Sequence, residues 1–358
     1  MLKNKILAGT MALIMPLTMC LTGCSFVSMF NTFSYQYDNA SEYKAGDREI
    51  DEKVTKINID YISGDVTINT HDSDKVNVKE TANIDLRDPQ KVHTWVNDGT
   101  LYVRFCQSIK RINFTNIHKK LELTLPSARD LEDVTVEISS GNLNCTGITS
   151  GSFTSHLSSG NLTCKDITAG GFDAKLSSGN ANVDGSGKNI QIKVSSGNIV
   201  LSDKGDSESI NIKASSGDID IKQNGNCNAM TIDSSSGNIT TEADKVSKMD
   251  VHASSGNITV TANEITDLNS RSSSGHNTFD FAVAPKTSAI KSSSGWVKIT
   301  MPENSDVKVT AKISSGHFNS ELPFTKNGKE YTSGNGSSTM TINVSSGNVD
   351  IYKKQEPV

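Results

Sequence analysis

Ile190-Gln191-Ile192-Lys193-Val194-Ser195-Ser196-Gly197-Asn198-Ile199-Val200-Leu201 holds the rule that the rest of the chain repeats. Ile190, Ile192 and Val194 alternate with polar residues before a Ser-Ser-Gly, and Ile199 and Leu201 resume the alternation after it. A period of two places one set of side chains on a buried strand face. The glycine offers a backbone angle that other residues resist, so the chain turns a corner there. The same grammar recurs as Ile210, Ile212, Ala214, Gly217, Ile219, Ile221, and as Met249, Val251, Ala253, Gly256, Ile258, Val260.

On either side of this stretch, Ser-Ser-Gly ends at Gly141, Gly160, Gly179, Gly197, Gly217, Gly237, Gly256, Gly275, Gly295, Gly316 and Gly347. The steps are 19, 19, 18, 20, 20, 19, 19, 20, 21 and 31 residues. A unit this short has no room for a helical crossover between parallel strands. It fits one coil of a single-stranded β-solenoid, parallel β-helix-like, with about 19–20 residues per coil. No window carries a helical apolar stripe, so the class is all-β. At about 4.8 Å per coil, eleven corners span roughly 50 Å.

The residue after the glycine is Asn at 142, 161, 180, 198, 238, 257 and 348, and Asp at 218. In stacked coils such residues fall in register, where Asn side chains form hydrogen-bonded ladders. The Ser pairs are expected to ladder through their hydroxyls. The repetition thus has a structural reason that needs no active site.

Composition agrees with a chain built mostly of corners. Of 358 residues, 35% are hydrophobic and 6% aromatic, too few for one large globular core. Only 21% are charged, the net charge is −5, and no basic run is present. Nucleic acid is therefore excluded as the main partner, since phosphate contacts need clustered Lys and Arg.

The first residues read as an export signal. Lys3 and Lys5 precede an apolar, uncharged stretch from Ile6 to Leu21, short for a spanning helix. Leu21-Thr22-Gly23-Cys24 resembles a lipobox, the site where bacteria attach lipid, palmitate included, to Cys and cleave before it. The expectation is a signal peptide over 1–23, lipidation at Cys24, and residence at the cell membrane, lipid-anchored on its extracytoplasmic face. Residues 24–50 read as a tether whose aromatics sit near the membrane or pack onto the first strands. Of the remaining cysteines, Cys145 and Cys164 occupy one position in adjacent coils. Two buried thiols are favoured there over a disulfide.

Residues 51–133 read as an N-terminal β cap, 134–353 as the Ser-Ser-Gly solenoid and 354–358 as a tail. In the cap, Ile57, Ile59 and Tyr61 precede Ser63-Gly64-Asp65, Val66 and Ile68, half of the repeat. Lys75–Glu80, Leu101–Phe105 and Lys120–Leu125 alternate as strands, with a hairpin turn at Asn97-Asp98-Gly99. Solenoid ends need such caps because open strand edges recruit other chains.

Ile59-Asp60-Tyr61-Ile62-Ser63-Gly64-Asp65-Val66, Leu123-Thr124-Leu125-Pro126 and the corners from Ser139 to Asn348 resemble the putative-adhesin β-strand-repeat family of bacterial envelope proteins, over roughly 50–352. It is similar as well to the head domain of autotransporter-type adhesins. The resemblance implies an envelope-surface role and offers no catalytic residue to carry over. Some relatives accompany envelope-stress signalling systems, which makes a regulatory partner of such a system the second reading.

No nucleotide loop, zinc-protease or serine-hydrolase motif is present. Gly185-Ser186-Gly187-Lys188 lacks the flanking residues of a phosphate loop. Acids are scattered (Asp218, Asp220, Asp233, Asp250), so a carbohydrate-active β-helix enzyme, which needs converging carboxylates, ranks third. Neither metal nor cofactor is expected. One irregularity marks a candidate binding site. After the corner glycine the Asn series gives way to His276, Trp296 and His317 in three successive repeats. Stacked in a column, these rings would form a platform for a sugar. The 31-residue step before Gly347 holds about 12 extra residues near Pro323–Ser338, read as a surface loop. The expected function is a non-enzymatic, envelope-anchored scaffold of adhesin type whose partner is a glycan or an envelope protein.

Overall fold

A computed structural model describes residues 33–112, 116–127 and 130–355. The signal peptide expected over 1–23 and the lipidation expected at Cys24 lie outside the described residues. Within them the architecture is a stack of β-coils joined in one 27-stranded sheet system, with a separate two-stranded ribbon. Each coil from Gly141 to Gly347 folds at its Ser-Ser-Gly and is named by that glycine, and Gly64 names the half-repeat before them.

Register follows the repeat residue for residue. Ile190, Ile192 and Val194 pair with Ile210, Ile212 and Ala214, and these with Met230, Ile232 and Ser234. The inward side chains make one continuous apolar column, with Ile192, Ile212, Ile232 and Met249 fully buried. At every corner the glycine has a positive φ, +136° at Gly197 and +126° at Gly217. Close approach is the second demand on this position. A Cβ on Gly197 would lie 2.0 Å from the Gly179 carbonyl oxygen of the coil beneath.

The Asn ladder is present, in a form that also satisfies the backbone. Asn142 Oδ1 accepts from Asn161 N at 2.9 Å and from Asn161 Nδ2 at 3.2 Å. The pattern continues through Asn180, Asn198, Asp218, Asn238 and Asn257 to His276 N. Asp65 begins it, accepting from Asn142 N at 3.0 Å, which puts the Gly64 half-repeat in the stack. The expected hydroxyl ladder is not seen: among the described residues no hydrogen bond joins Ser pairs of neighbouring coils. These hydroxyls are exposed, so water competes for them.

Both ends of the stack depart from sequence order. The Gly64 coil (Lys56–Ser63 and Asp65–His71) lies second, between the Gly141 coil and an outer coil made of Thr100–Arg104 and Lys119–Pro126. Antiparallel strands close that outer edge: His93–Asn97 on Thr100–Arg104, and Val76–Ala82 on Lys119–Pro126. At the other end, Ser338–Ser346 pairs with Thr287–Ser294 on one side and Val307–Ser315 on the other. The Gly347 coil is thus inserted between the Gly295 and Gly316 coils. The extra residues before Gly347 form more than a surface loop. Thr325–Asn327 and Glu330–Ser333 make a hairpin that covers the edge strand Val307–Ser315 and returns the chain to the gap. At each end the coil nearest the terminus, Gly64 or Gly347, is flanked by coils on both sides.

The tether expected over 24–50 belongs to the cap from Phe33 onward. Phe33–Tyr35 pairs with Ile109–Ile112, Lys44–Ala45 with His93–Asn97, and Arg48–Ile50 with Val76–Ala82. Tyr35 is buried and donates to Asp60 O at 3.0 Å; Tyr37 Oη donates to Cys106 O at 2.9 Å. Rings at Tyr37, Tyr43, Trp95 and Tyr102 then run in contact, with centroid spacings of 4.7, 5.5 and 5.5 Å. Strands of two or three residues are too short to show a period, and for that reason the sequence reads as irregular.

Candidate functional site

Three groups of side chains stand apart from the repeat. The first is a buried ionic cluster in the cap. Lys119 and Glu80 are both shielded from water and pair at 2.7 Å. Tyr61 Oη donates to the same Glu80 oxygen at 2.8 Å, and Val92 N donates to the other at 2.8 Å. Lys119 Nζ also donates to Gln90 O at 2.7 Å and to Phe105 O, and lies 4.1 Å from the Phe105 ring centroid. Burial pushes the Lys119 ammonium below its ordinary range, opposed by Glu80. Burial also raises the Tyr61 hydroxyl, helped by Glu80. Every member has a partner within the cap, so the cluster holds strands together and presents nothing to a ligand. The sequence carried a signal for it. Lys119 is in phase with Leu121, Leu123 and Leu125, and Glu80 with Val76 and Val78, so both charges fall on the buried face.

The second group lies inside the stack, where Asp203 and Gln223 are register neighbours on the inward face. Asp203 accepts from Ser207 Oγ at 2.7 Å and is fully buried. Burial lifts its carboxyl from the ordinary 3.8 to about 6, while the bonds from Ser207 and the Gly205 and Gly187 backbone act the other way. The native state therefore holds this proton to a higher pH than the unfolded chain does. Its stabilising share is complete below about pH 4 and is lost as pH rises through 6. We expect Asp203→Asn to remove that fall and to exceed wild type by about 2–3 kcal/mol at pH 7. Melting curves between pH 4 and 7 test it; parallel pH profiles for the two chains would contradict the assignment.

The four described cysteines are free and buried. Cys145 and Cys164 are register partners. Burial raises the Cys145 thiol, and takes Cys106 to about 12 and Cys227 to about 11. Little thiolate exists at neutral pH, so these groups are poor nucleophiles.

The third group includes the residues picked out by the broken Asn series. His276 and Trp296 are adjacent, with ring centroids 4.4 Å apart and planes at 31°. Trp296 Nε1 donates to His276 Nε2 at 3.0 Å. That bond requires the imidazole proton on Nδ1, so Nδ1 cannot also accept the Trp296 backbone N–H, 3.4 Å away. Indole has no acceptor for the next coil. The side-chain ladder ends at His276.

His317 does not join the ring pair. The inserted Gly347 coil puts Asn348 next to Trp296, and His317 lies beyond it, its N–H donating to Asn348 Oδ1 at 3.0 Å. The three-ring column is thus a two-ring pair, then an amide, then an imidazole. What the insertion brings instead is Tyr352. Trp296, Lys298, Asn348, Asp350 and Tyr352, with Gly295 and Gly347, line an open cleft of about 480 Å3. Lys298 and Asp350 are register partners, and Lys298 Nζ lies 4.9 Å from the Tyr352 ring centroid. The other corner strands offer mainly small polar groups on this face, such as Asn161 and Thr163 or Asn238 and Thr240.

Among the described residues no set of three or more His, Cys, Asp or Glu side chains is placed to hold a metal ion. No helix among them is long and apolar enough to cross a membrane.

The fold defines a class: a capped parallel β-solenoid with glycine corners. The chain belongs to the Toastrack DUF4097 family, whose model matches residues 54–188 and again 187–352. Among solved structures, the chain is similar to a "putative cell adhesion protein" from Clostridium sporogenes at 12% identity. That match covers 87% of this chain and 100% of the other, with a TM-score of 0.18. A "putative adhesin" from Bacteroides fragilis matches at 13% identity over 86% and 96%, with a TM-score of 0.23. A "putative lipid binding protein" from Parabacteroides distasonis matches at 14% identity over 87% and 97%, with a TM-score of 0.29. No curated protein matches.

Proposed function

We propose that this chain is a non-catalytic, adhesin-like display scaffold, held to the extracytoplasmic face of the cell membrane through lipid on Cys24. The supporting observation is the polarity of the stack. The chain enters at the cap, where Phe33–Tyr35 pairs with Ile109–Ile112. The ring pair and its cleft lie at the opposite end, nine coil steps from Gly64 to Gly295, or about 43 Å at the usual strand spacing. Between them the coils are tied by backbone ladders and by the Asn series, so the spacer is stiff. A rigid body with its tether at one end and a distinct surface at the other suits presentation to a partner outside the cell.

Expression of Cys24→Ser tests the anchoring. The variant is expected in the soluble extracytoplasmic fraction, and wild type in the membrane fraction. Unchanged membrane fractionation of Cys24→Ser would contradict lipid anchoring at this residue.

A further inference from the structure

We infer that the cleft between Trp296 and Tyr352 is a binding site for an uncharged pyranoside, a deepening that rests on the display reading above. Five large hydrophobic side chains are exposed among the described residues: Ile84, Val200, Val283, Trp296 and Tyr352. The two aromatic ones share this one cleft. They are brought together across 56 residues of sequence only because the Gly347 coil occupies the place beside Gly295. Trp296 is held against His276 by its indole N–H and still keeps 37% of its surface open; Tyr352 keeps 36%.

Their separation suits a short oligosaccharide. Tyr352 pairs with Thr300, four residues along the strand from Trp296 and one coil across. At about 3.3 Å per residue and 4.8 Å per coil, the two side chains are rooted roughly 14 Å apart.

Polar groups between the rings match the rim of a sugar. A pyranose has an apolar C–H face, suited to an aromatic ring, and hydroxyls that each donate and accept. Lys298 donates, Asp350 accepts, and the Asn348 amide does both. Asn319 Nδ2 donates to Asp350 Oδ1 at 2.8 Å and fixes that carboxylate.

Charge selects a neutral ligand. Lys298 and Asp350 face the cleft with opposite signs from paired positions. The adjacent lysines are engaged elsewhere, Lys354 with Asp280 at 2.7 Å and Lys353 with Glu303 at 3.8 Å. A carboxylated sugar would meet Asp350 with no surplus cation.

The test is retention of the exported chain carrying Cys24→Ser on immobilised neutral oligosaccharides and, in parallel, on uronic-acid oligosaccharides. Wild-type cleft residues are expected to retain at least one neutral glycan. Trp296→Ala and Tyr352→Ala are each expected to weaken that Kd tenfold or more, with unchanged melting temperature. Thr240→Ala, on the same face in mid-stack, is expected to have no effect. Retention of no neutral glycan, retention of acidic glycans alone, or retention insensitive to both aromatic substitutions would each overturn the site. Failure here with Cys24→Ser released from membranes leaves the display reading standing. Success here with Cys24→Ser still in the membrane overturns the anchoring and keeps the site.

Discussion

Gly197→Ala is expected to destabilise the chain by more than about 4 kcal/mol, the range reserved for substitutions that the structure cannot absorb. Two costs coincide at this position. A φ of +136° is one that L side chains rarely adopt. A methyl there would also lie 2.0 Å from the Gly179 carbonyl oxygen and 2.6 Å from its carbon, both backbone atoms of the next coil. Relief requires moving the Gly179 and Gly197 coils apart, and the Gly179 N–H bond to Ser196 O at 2.9 Å resists that. Since each coil contacts only its neighbours, a break in mid-stack separates the molecule into two halves. Gly171 is the internal control. Nothing lies within 4 Å of a Cβ built there. Gly171→Ala is expected to stay within about 1 kcal/mol of wild type, through reduced freedom of the unfolded chain. Urea unfolding followed by circular dichroism compares the two. A Gly197→Ala curve within about 1 kcal/mol of wild type would refute the corner argument.

Glu80→Ala is the second large effect, expected at about 3–5 kcal/mol. Removing this carboxylate takes one partner from the Lys119 ammonium, the Tyr61 hydroxyl and the Val92 N–H together. A buried group left without its partner carries its full desolvation cost. Lys119→Met is expected to cost less, because Glu80 keeps its bonds from Tyr61 and Val92 and the methionine fills the space beside Phe105. The order of the two variants in thermal melts is the informative result. Equal losses, or a greater loss for Lys119→Met, would mean the ammonium and not the carboxylate holds the cap together.

The corner motif was legible in the sequence because its cause is local. A glycine that must turn and must let a neighbouring backbone approach is replaced by no other residue, so it recurs in every coil from Gly141 to Gly347. Coil order was not legible. The 21-residue step to Gly316 looks like the steps before it, and nothing in it tells that the chain skips a place. The 31-residue step holds the hairpin that returns the chain, and its length was the one available sign. That single exchange of order separates His317 from Trp296 and brings Tyr352 toward it. The site residues were therefore read half correctly as neighbours: His276 and Trp296 meet, and His317 does not join them. The charged residues on buried faces, Glu80, Lys119 and Asp203, were visible as breaks in period-two phase. Their partners were not, because the antiparallel strand pairing that brings Glu80 to Lys119, 39 residues away, is a property of the fold.

Attachment of whole cells tests whether the chain is displayed from the membrane as an adhesin-like scaffold. Cells lacking the chain, cells carrying it and cells carrying Cys24→Ser are compared for adherence to neutral-glycan surfaces. Adherence is expected to fall when the chain is absent, to return with wild type, and to stay low with Cys24→Ser. Equal adherence by all three would contradict a display scaffold held at the membrane.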